Sequence, residues 1–203
     1  MTSATTALTC PEAEALVAEV VAAFQKSAGP RPSTTAVTAA LLAVEKAAKE
    51  TRQAIAPASL CGTWRLCFSA GKKARYHAGQ PTGNGFYVPK IAIAQITFAQ
   101  DLAEPHHLTV ANELRIGPLH LRFTGPARYP GKKNLLVFDF THLAIRCFGL
   151  RLYQGAVAAK KYQEQSFEET AIAKLPFFAF FAATDTYIAA RGRGGGLAIW
   201  VSC

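Results

Sequence analysis

The chain has 203 residues, half of them hydrophobic and 17% charged, a composition that supports one domain with a sizeable core and excludes wholesale disorder. No stretch reaches the roughly 18 uninterrupted apolar residues of a membrane-spanning helix, and the most apolar run, 175–184, stops at Asp185. The formal charge is +9, and its whole excess falls in residues 61–203, because residues 1–60 carry five basic and five acidic side chains.

Two helices are predicted within residues 1–59. Thr9, followed three residues later by Glu12, has the capping-box pattern, with Pro11 in the first turn. Leu16, Val20 and Phe24, with Val17 and Val21 beside them, form an apolar stripe at i, i+4 spacing. Gly29-Pro30-Arg31-Pro32 breaks that helix. Ser33 caps a second, whose apolar face includes Val37, Leu41, Val44 and Ile55 and which Pro57 closes. Glu45–Lys49 and Lys46–Glu50 stand four apart on the side assigned to solvent.

From Leu60 the pattern changes to short apolar runs rich in β-branched and aromatic residues, separated by Gly, Pro and Asn. Strands are predicted near 62–69, 86–98, 107–116, 118–124, 134–140, 143–148 and 150–154. Leu119, Leu121 and Phe123 alternate with His120, Arg122 and Thr124, the pattern of a wall with one dry and one polar face. Residues 156–174 are mixed and partly helical. A final hairpin pairs 186–191 with Leu197–Ser202 across a glycine-rich loop. About eight strands without crossover helices predict a mainly β (α+β) fold. Residues 60–203 form an antiparallel up-and-down barrel, and residues 1–59 form a helix pair packed on it.

No pattern of catalytic residues stands out, and the nucleophile-elbow, phosphate-loop and zincin signatures are missing. Gly192, Gly194, Gly195 and Gly196 join two strands, whereas a phosphate loop runs from a strand into a helix. A single Arg-Gly-Arg-Gly-Gly copy without stacking aromatics does not make a nucleic-acid element. The five cysteines (Cys10, Cys61, Cys67, Cys147, Cys203) lack Cys-x-x-Cys spacing and read as reduced, mostly buried thiols, and adjacent His106 and His107 point to opposite faces of a strand, so no metal site is expected. Asp139, flanked by Phe138 and Phe140, faces away from both and either anchors a ligand or bonds a neighbouring strand. Asp185 is placed to pair with Arg191 or Arg193. Ala92, Ala94 and Ala144 alternate with large aliphatics; they leave room inside a hollow barrel or let the helices pack closely outside it.

Gly62-Thr63-Trp64 at the first strand resembles the lipocalin signature, in which the Trp plugs the barrel base and an Arg of the last strands, here Arg191, stacks over it. Leu60-Cys61-Gly62-Thr63-Trp64-Arg65-Leu66, the run Leu175-Pro176-Phe177-Phe178-Ala179-Phe180-Phe181 and the motif from Ala182 to Trp200 together resemble the plastid lipid-associated protein (fibrillin) family in its shorter, cyanobacterial-type form. Trp64, Asp185, Arg191 and Gly192 match the family's recurring residues. Where plant members carry Leu-Arg-Ile before the Arg-Gly, this chain has Ile188-Ala189-Ala190.

The resemblance implies a lipocalin-like fold and a non-catalytic protein that needs no cofactor. It also implies an apolar ligand (a carotenoid, quinone or fatty acid) and contact with thylakoid-type membranes or lipid bodies. Neither a basic-then-apolar leader nor an arginine-rich transit segment is visible, so a cytoplasmic or thylakoid-peripheral location is expected. The basic excess suits an anionic membrane surface rather than nucleic acid. Ala92, Ala94 and Ala144 are candidates for the inner wall, and Arg122, Arg146 and Asp139 for polar anchors of a head group. The alternative is a lipocalin-type bilin lyase, whose tetrapyrrole propionates the arginines would hold.

Overall fold

The computed structural model describes residues 8–26, 30–100, 108–131, 133–157 and 167–203. Two helices lead: α1, Cys10–Lys26, and α2, Thr34–Thr51. Thirteen strands follow among the described residues: β1 Gly62–Ala70, β2 Arg75–His77, β3 Gln80–Thr82, β4 Gly85–Tyr87, β5 Ala92–Gln100, β6 Leu108–Ile116, β7 Leu119–Arg128, β8 Leu135–Phe138, β9 His142–Cys147, β10 Leu150–Ala156, β11 Phe177–Ala183, β12 Tyr187–Gly192 and β13 Leu197–Ser202.

Eight of these strands close a ring in chain order, β1-β5-β6-β7-β8-β11-β12-β13, each antiparallel to the next, and β13 returns to β1. This is the expected up-and-down, lipocalin-like barrel preceded by a helix pair. Two hairpins lie off the ring. β9 and β10 extend the sheet beyond the first half of β7, whose second half pairs with β8. The small β2–β3 hairpin falls in a stretch where the sequence pattern predicts no strand.

Local chemistry accounts for the helix ends. The Ala36 amide donates to Ser33 Oγ, so Ser33 caps the second helix as expected; at the first, the Thr9 amide and hydroxyl both donate to the Glu12 carboxylate, which forms the Glu12 half of the capping box. The second helix ends earlier than Pro57 implies, at Thr51, with Arg52 in the left-handed conformation. Ile55 therefore lies outside it, in a segment held by Asn134 and Tyr129.

Two apolar cores sit on opposite sides of the sheet. One fills the barrel with Trp64, Phe98, Phe138, Phe180, Ile188 and Trp200. The other lies between helices and sheet and contains Val17, Val20, Val37, Leu41, Phe68 and Ile199. β11 is a strand that the sequence pattern does not predict. Its sequence, Phe-Phe-Ala-Phe-Phe-Ala-Ala, does not alternate because apolar neighbours cover both faces, Phe180 inside and Phe181 against the helix layer. The predicted strand 86–98 divides into β4 and β5 around Pro89, and the predicted strand 118–124 continues to Arg128. Of the cysteines only Cys67 is buried, contrary to the expectation for most of them; burial pushes its thiol up to about 12. His106 and His107 lie outside the described residues, as do residues 158–166 of the segment read as partly helical.

Candidate functional site

Strands β5, β6, β7, β9 and β10 form an overhang whose pairing register fixes which side chains share a face. Ala94, Leu114, Leu121, Ile145 and Tyr153 stand opposite one another in one row. Ala92, Ile116, Leu119, Cys147 and Leu150 form the next, and Ile96, Asn112, Phe123, Leu143 and Gly155 the row on the barrel side. Ile96 belongs to the interior core, so this is the inner face carried past the end of the closed ring. It stays apolar although parts of it reach water: Ile116 is 48% exposed and Tyr153 45%.

An aromatic chain joins this face to the interior. Phe123 meets Phe140 at 5.6 Å between ring centroids, Phe140 meets Phe138 at 5.2 Å, Phe138 stacks on Phe178 at 5.1 Å, and Phe178 meets Trp200 at 5.2 Å. The deep end of the barrel is thus filled by rings, and the apolar inner face continues beyond them, partly open to water.

The outer face alternates with the inner one and is polar. Ile93, Arg115, His120, Arg146 and Arg151 make one row, and Gln95, Glu113, Arg122, Ala144 and Gln154 the next. Burial alone would raise the Glu113 carboxyl. Hydrogen bonds from Arg115 and His120, both at 3.0 Å, and the charge of Arg122 more than offset it, so the carboxyl is held below its ordinary value. A groove of about 480 Å³ runs along this face between His120, Arg122, His142, Ala144 and Arg146.

The candidate ligand residues are therefore separated. Ala92 and Ala94 lie on the inner face, whereas Arg122, Ala144 and Arg146 sit on the outer face and are not part of an inner wall. The reason is parity: Ala144 neighbours the inward Leu143 and Ile145, so it points the other way. Asp139 lies just past the end of β8, and its amide donates to the Pro126 carbonyl. Phe138 and Phe140 on either side of it touch each other.

Trp64 occupies the expected place, 4% exposed among interior side chains, with its indole N–H donating to the Leu60 carbonyl at 2.8 Å. Gly62 precedes it with φ 134, a conformation open to glycine. Arg191 does not stack over Trp64. Its neighbour Ala190 faces the interior, so Arg191 turns to the helix side and binds Glu45 at 2.5–2.7 Å. Glu45 is correspondingly buried, 5% exposed, rather than on the solvated side of α2, and it also accepts from Lys49 at 2.8 Å. Asp185 is exposed and pairs with neither arginine, since Arg193 bonds the Lys174 and Leu175 carbonyls. Gly192 starts the expected strand-to-strand loop, accepting from Gly195 and donating to Gly196.

Sequence reasoning missed Glu45 and the breadth of the inner face. The alternation read for residues 119–124 continues in β6 and β9, and would have placed Arg122 outside and Leu114 and Ile145 inside. Among the described residues no group of His, Cys, Asp and Glu stands together as a metal site, and no helix is long and apolar enough to cross a membrane. No protein-family profile matches the chain, and comparison with curated proteins finds no match.

Proposed function

We propose that this chain is a non-catalytic carrier of an apolar or amphiphilic molecule, of the carotenoid, quinone or fatty-acid kind, and that it works at an anionic membrane surface. The observation that supports the reading is the inner face of the overhang, an apolar surface partly open to water and continuous with the aromatic interior. Folding gains little from leaving such a face uncovered, and contiguous exposed apolar surface marks a place where something binds. Ala92 and Ala94 lie across from Ile116 and Leu114, so this face carries small side chains beside large aliphatic ones. Each buried CH₂ of a ligand contributes about 0.8 kcal/mol before ordering costs, so an acyl or isoprenoid chain needs few polar anchors.

Titration of the full chain with a fluorescent fatty acid tests this. Ala94→Phe should weaken binding about tenfold or more by occupying the inner face, whereas Ala144→Phe on the outer face should leave it unchanged. Absence of binding by the unaltered chain overturns the carrier reading. Equal effects of the two variants overturn the inner face as its site.

A further inference from the structure

We propose that the free end of the overhang is a membrane-docking edge, with its apolar turn residues entering the acyl boundary of an anionic bilayer and a collar of arginines at the phosphates. This deepens the membrane contact of the proposed function and rests on it.

The register places three chain segments along one edge. The row Ala92, Ile116, Leu119, Cys147 and Leu150 is the last paired row of the overhang. Immediately beyond it lie Ile91, which leads into β5, the Gly117-Pro118 turn and the Phe148-Gly149 turn. The Phe148 amide donates to the Pro118 carbonyl at 3.1 Å, tying the two turns together. The edge is strongly apolar and wet: Ile91 is 83% exposed, Phe148 82%, Leu150 71% and Leu152 65%.

Phe148 is the most telling residue. It sits at φ 49 ahead of Gly149 at φ 79, in a two-residue hairpin turn where both central residues need positive φ. Asn or Gly takes that conformation at low cost; a bulky aromatic does not. Neither burial nor backbone preference accounts for a phenylalanine there, whereas insertion of its ring into lipid does.

The charges stand where headgroups would be. Arg115, Arg146 and Arg151 lie one row behind the apolar edge on the outer face, and Lys90 adjoins Ile91. One residue of strand rises about 3.3 Å, so these cations trail the apolar tips by one or two residues and stay at headgroup level when the tips enter the acyl boundary. Glu113, the carboxylate of this face, lies within 3.4 Å of Arg115, His120 and Arg122 and leaves the patch net positive. The same charge argues against a second copy as the occupant, since two such edges would bring arginine rows together.

The test uses the full chain and vesicles of phosphatidylcholine, alone or mixed with phosphatidylglycerol. Flotation should show binding to the mixed vesicles that salt weakens, and Phe148→Ser with Ile91→Ser should reduce it at least about tenfold. In a Phe148→Trp variant, emission should shift to the blue on vesicle binding and be quenched by lipids brominated near the top of the acyl chain, with the unaltered chain as the reference for Trp64 and Trp200. Native affinity in the serine variant, no blue shift in the tryptophan variant beyond that reference, or a dimer that the serine variant dissolves each overturns the docking edge. Fatty-acid binding in vesicle-free solution should be unchanged in the serine variant. Absence of vesicle binding by the unaltered chain, with its fatty-acid binding intact, therefore overturns the docking edge together with the membrane contact but leaves the carrier reading. Vesicle binding that survives in the serine variant overturns the docking edge alone, and vesicle binding without fatty-acid binding overturns only the carrier reading.

Discussion

Trp64 shows what one side chain contributes when burial and hydrogen bonding coincide. Its ring fills the interior beside Leu60 and Ile96, and its indole N–H satisfies the Leu60 carbonyl in the short turn before β1. Trp64→Ala should cost about 3–5 kcal/mol in urea unfolding, the range for loss of a large buried aromatic. Trp64→Phe should cost about 1–3 kcal/mol, mostly for the unpaired carbonyl. An Ala variant within about 1 kcal/mol of the unaltered chain would remove Trp64 from the core. The Gly-x-Trp triplet makes this residue legible from sequence alone. Its supposed arginine partner is not legible in the same way, because Ala190 and Arg191 differ by one position and only register says which of them faces in.

At the scale of elements, β7 is the junction of the molecule. Its first half, residues 119–124, pairs with β9 and its end, Ala127 and Arg128, with β8. The change of partner falls at Gly125-Pro126. The Asp139 amide donates to the Pro126 carbonyl and the Thr141 amide to the Thr124 carbonyl, so the chain crosses from β8 to β9 directly over Gly125. A Cβ on Gly125 would come within 2.0 Å of the Asp139 carbonyl oxygen, a contact with backbone that cannot rotate away. Gly125→Val should therefore cost at least about 1–3 kcal/mol and reduce amide-exchange protection in both β8 and β9. Protection lost in neither strand would show that the crossing is not held there. A Gly-Pro pair reads as a strand end, and it is one for the β9 pairing; that the chain continues as a strand depends on its pairing with β8, a partner that no local pattern identifies.

For the whole molecule, the Glu45–Arg191 pair fastens the helix layer to the closing strands across 146 positions of sequence. Burial acts to raise the Glu45 carboxyl, but hydrogen bonds from Arg191 and Lys49 outweigh it and hold the carboxyl below its ordinary value. A carboxyl whose folded value is depressed contributes stability above its unfolded value, and that stability is lost as pH falls through the folded one. Unfolding measured from neutral to acid pH should show this loss, and Glu45→Gln should flatten the acid slope while lowering stability at neutral pH. An identical slope in the variant would rule the pair out as its source. Arg191→Ala should cost about 2–3 kcal/mol at neutral pH, less than for a fully enclosed pair because the Arg191 side chain is 22% exposed.

The sequence by itself determined the class of fold, the two leading helices with their Ser33 and Thr9 caps, most of the strands and the place of Trp64. These follow from periodicity and from interactions spanning three or four residues, which local sequence encodes. The dry and polar faces of β7 are equally legible, since alternation within one strand needs no partner. Only the tertiary structure decided that β11 is a strand, that Glu45 is buried, and that Arg122, Ala144 and Arg146 face outward while Ala92 and Ala94 face in. Each of these depends on which surface a side chain meets from a distant part of the chain. Glu45 continues the buried face of α2 one turn beyond Leu41 and Leu42, where Arg191, far along the chain, meets it. The alanines of the strands are compatible with a hollow interior or a filled one; rings from β8, β11 and β13 fill its depth, and the opening passes to the overhang where the ring ends.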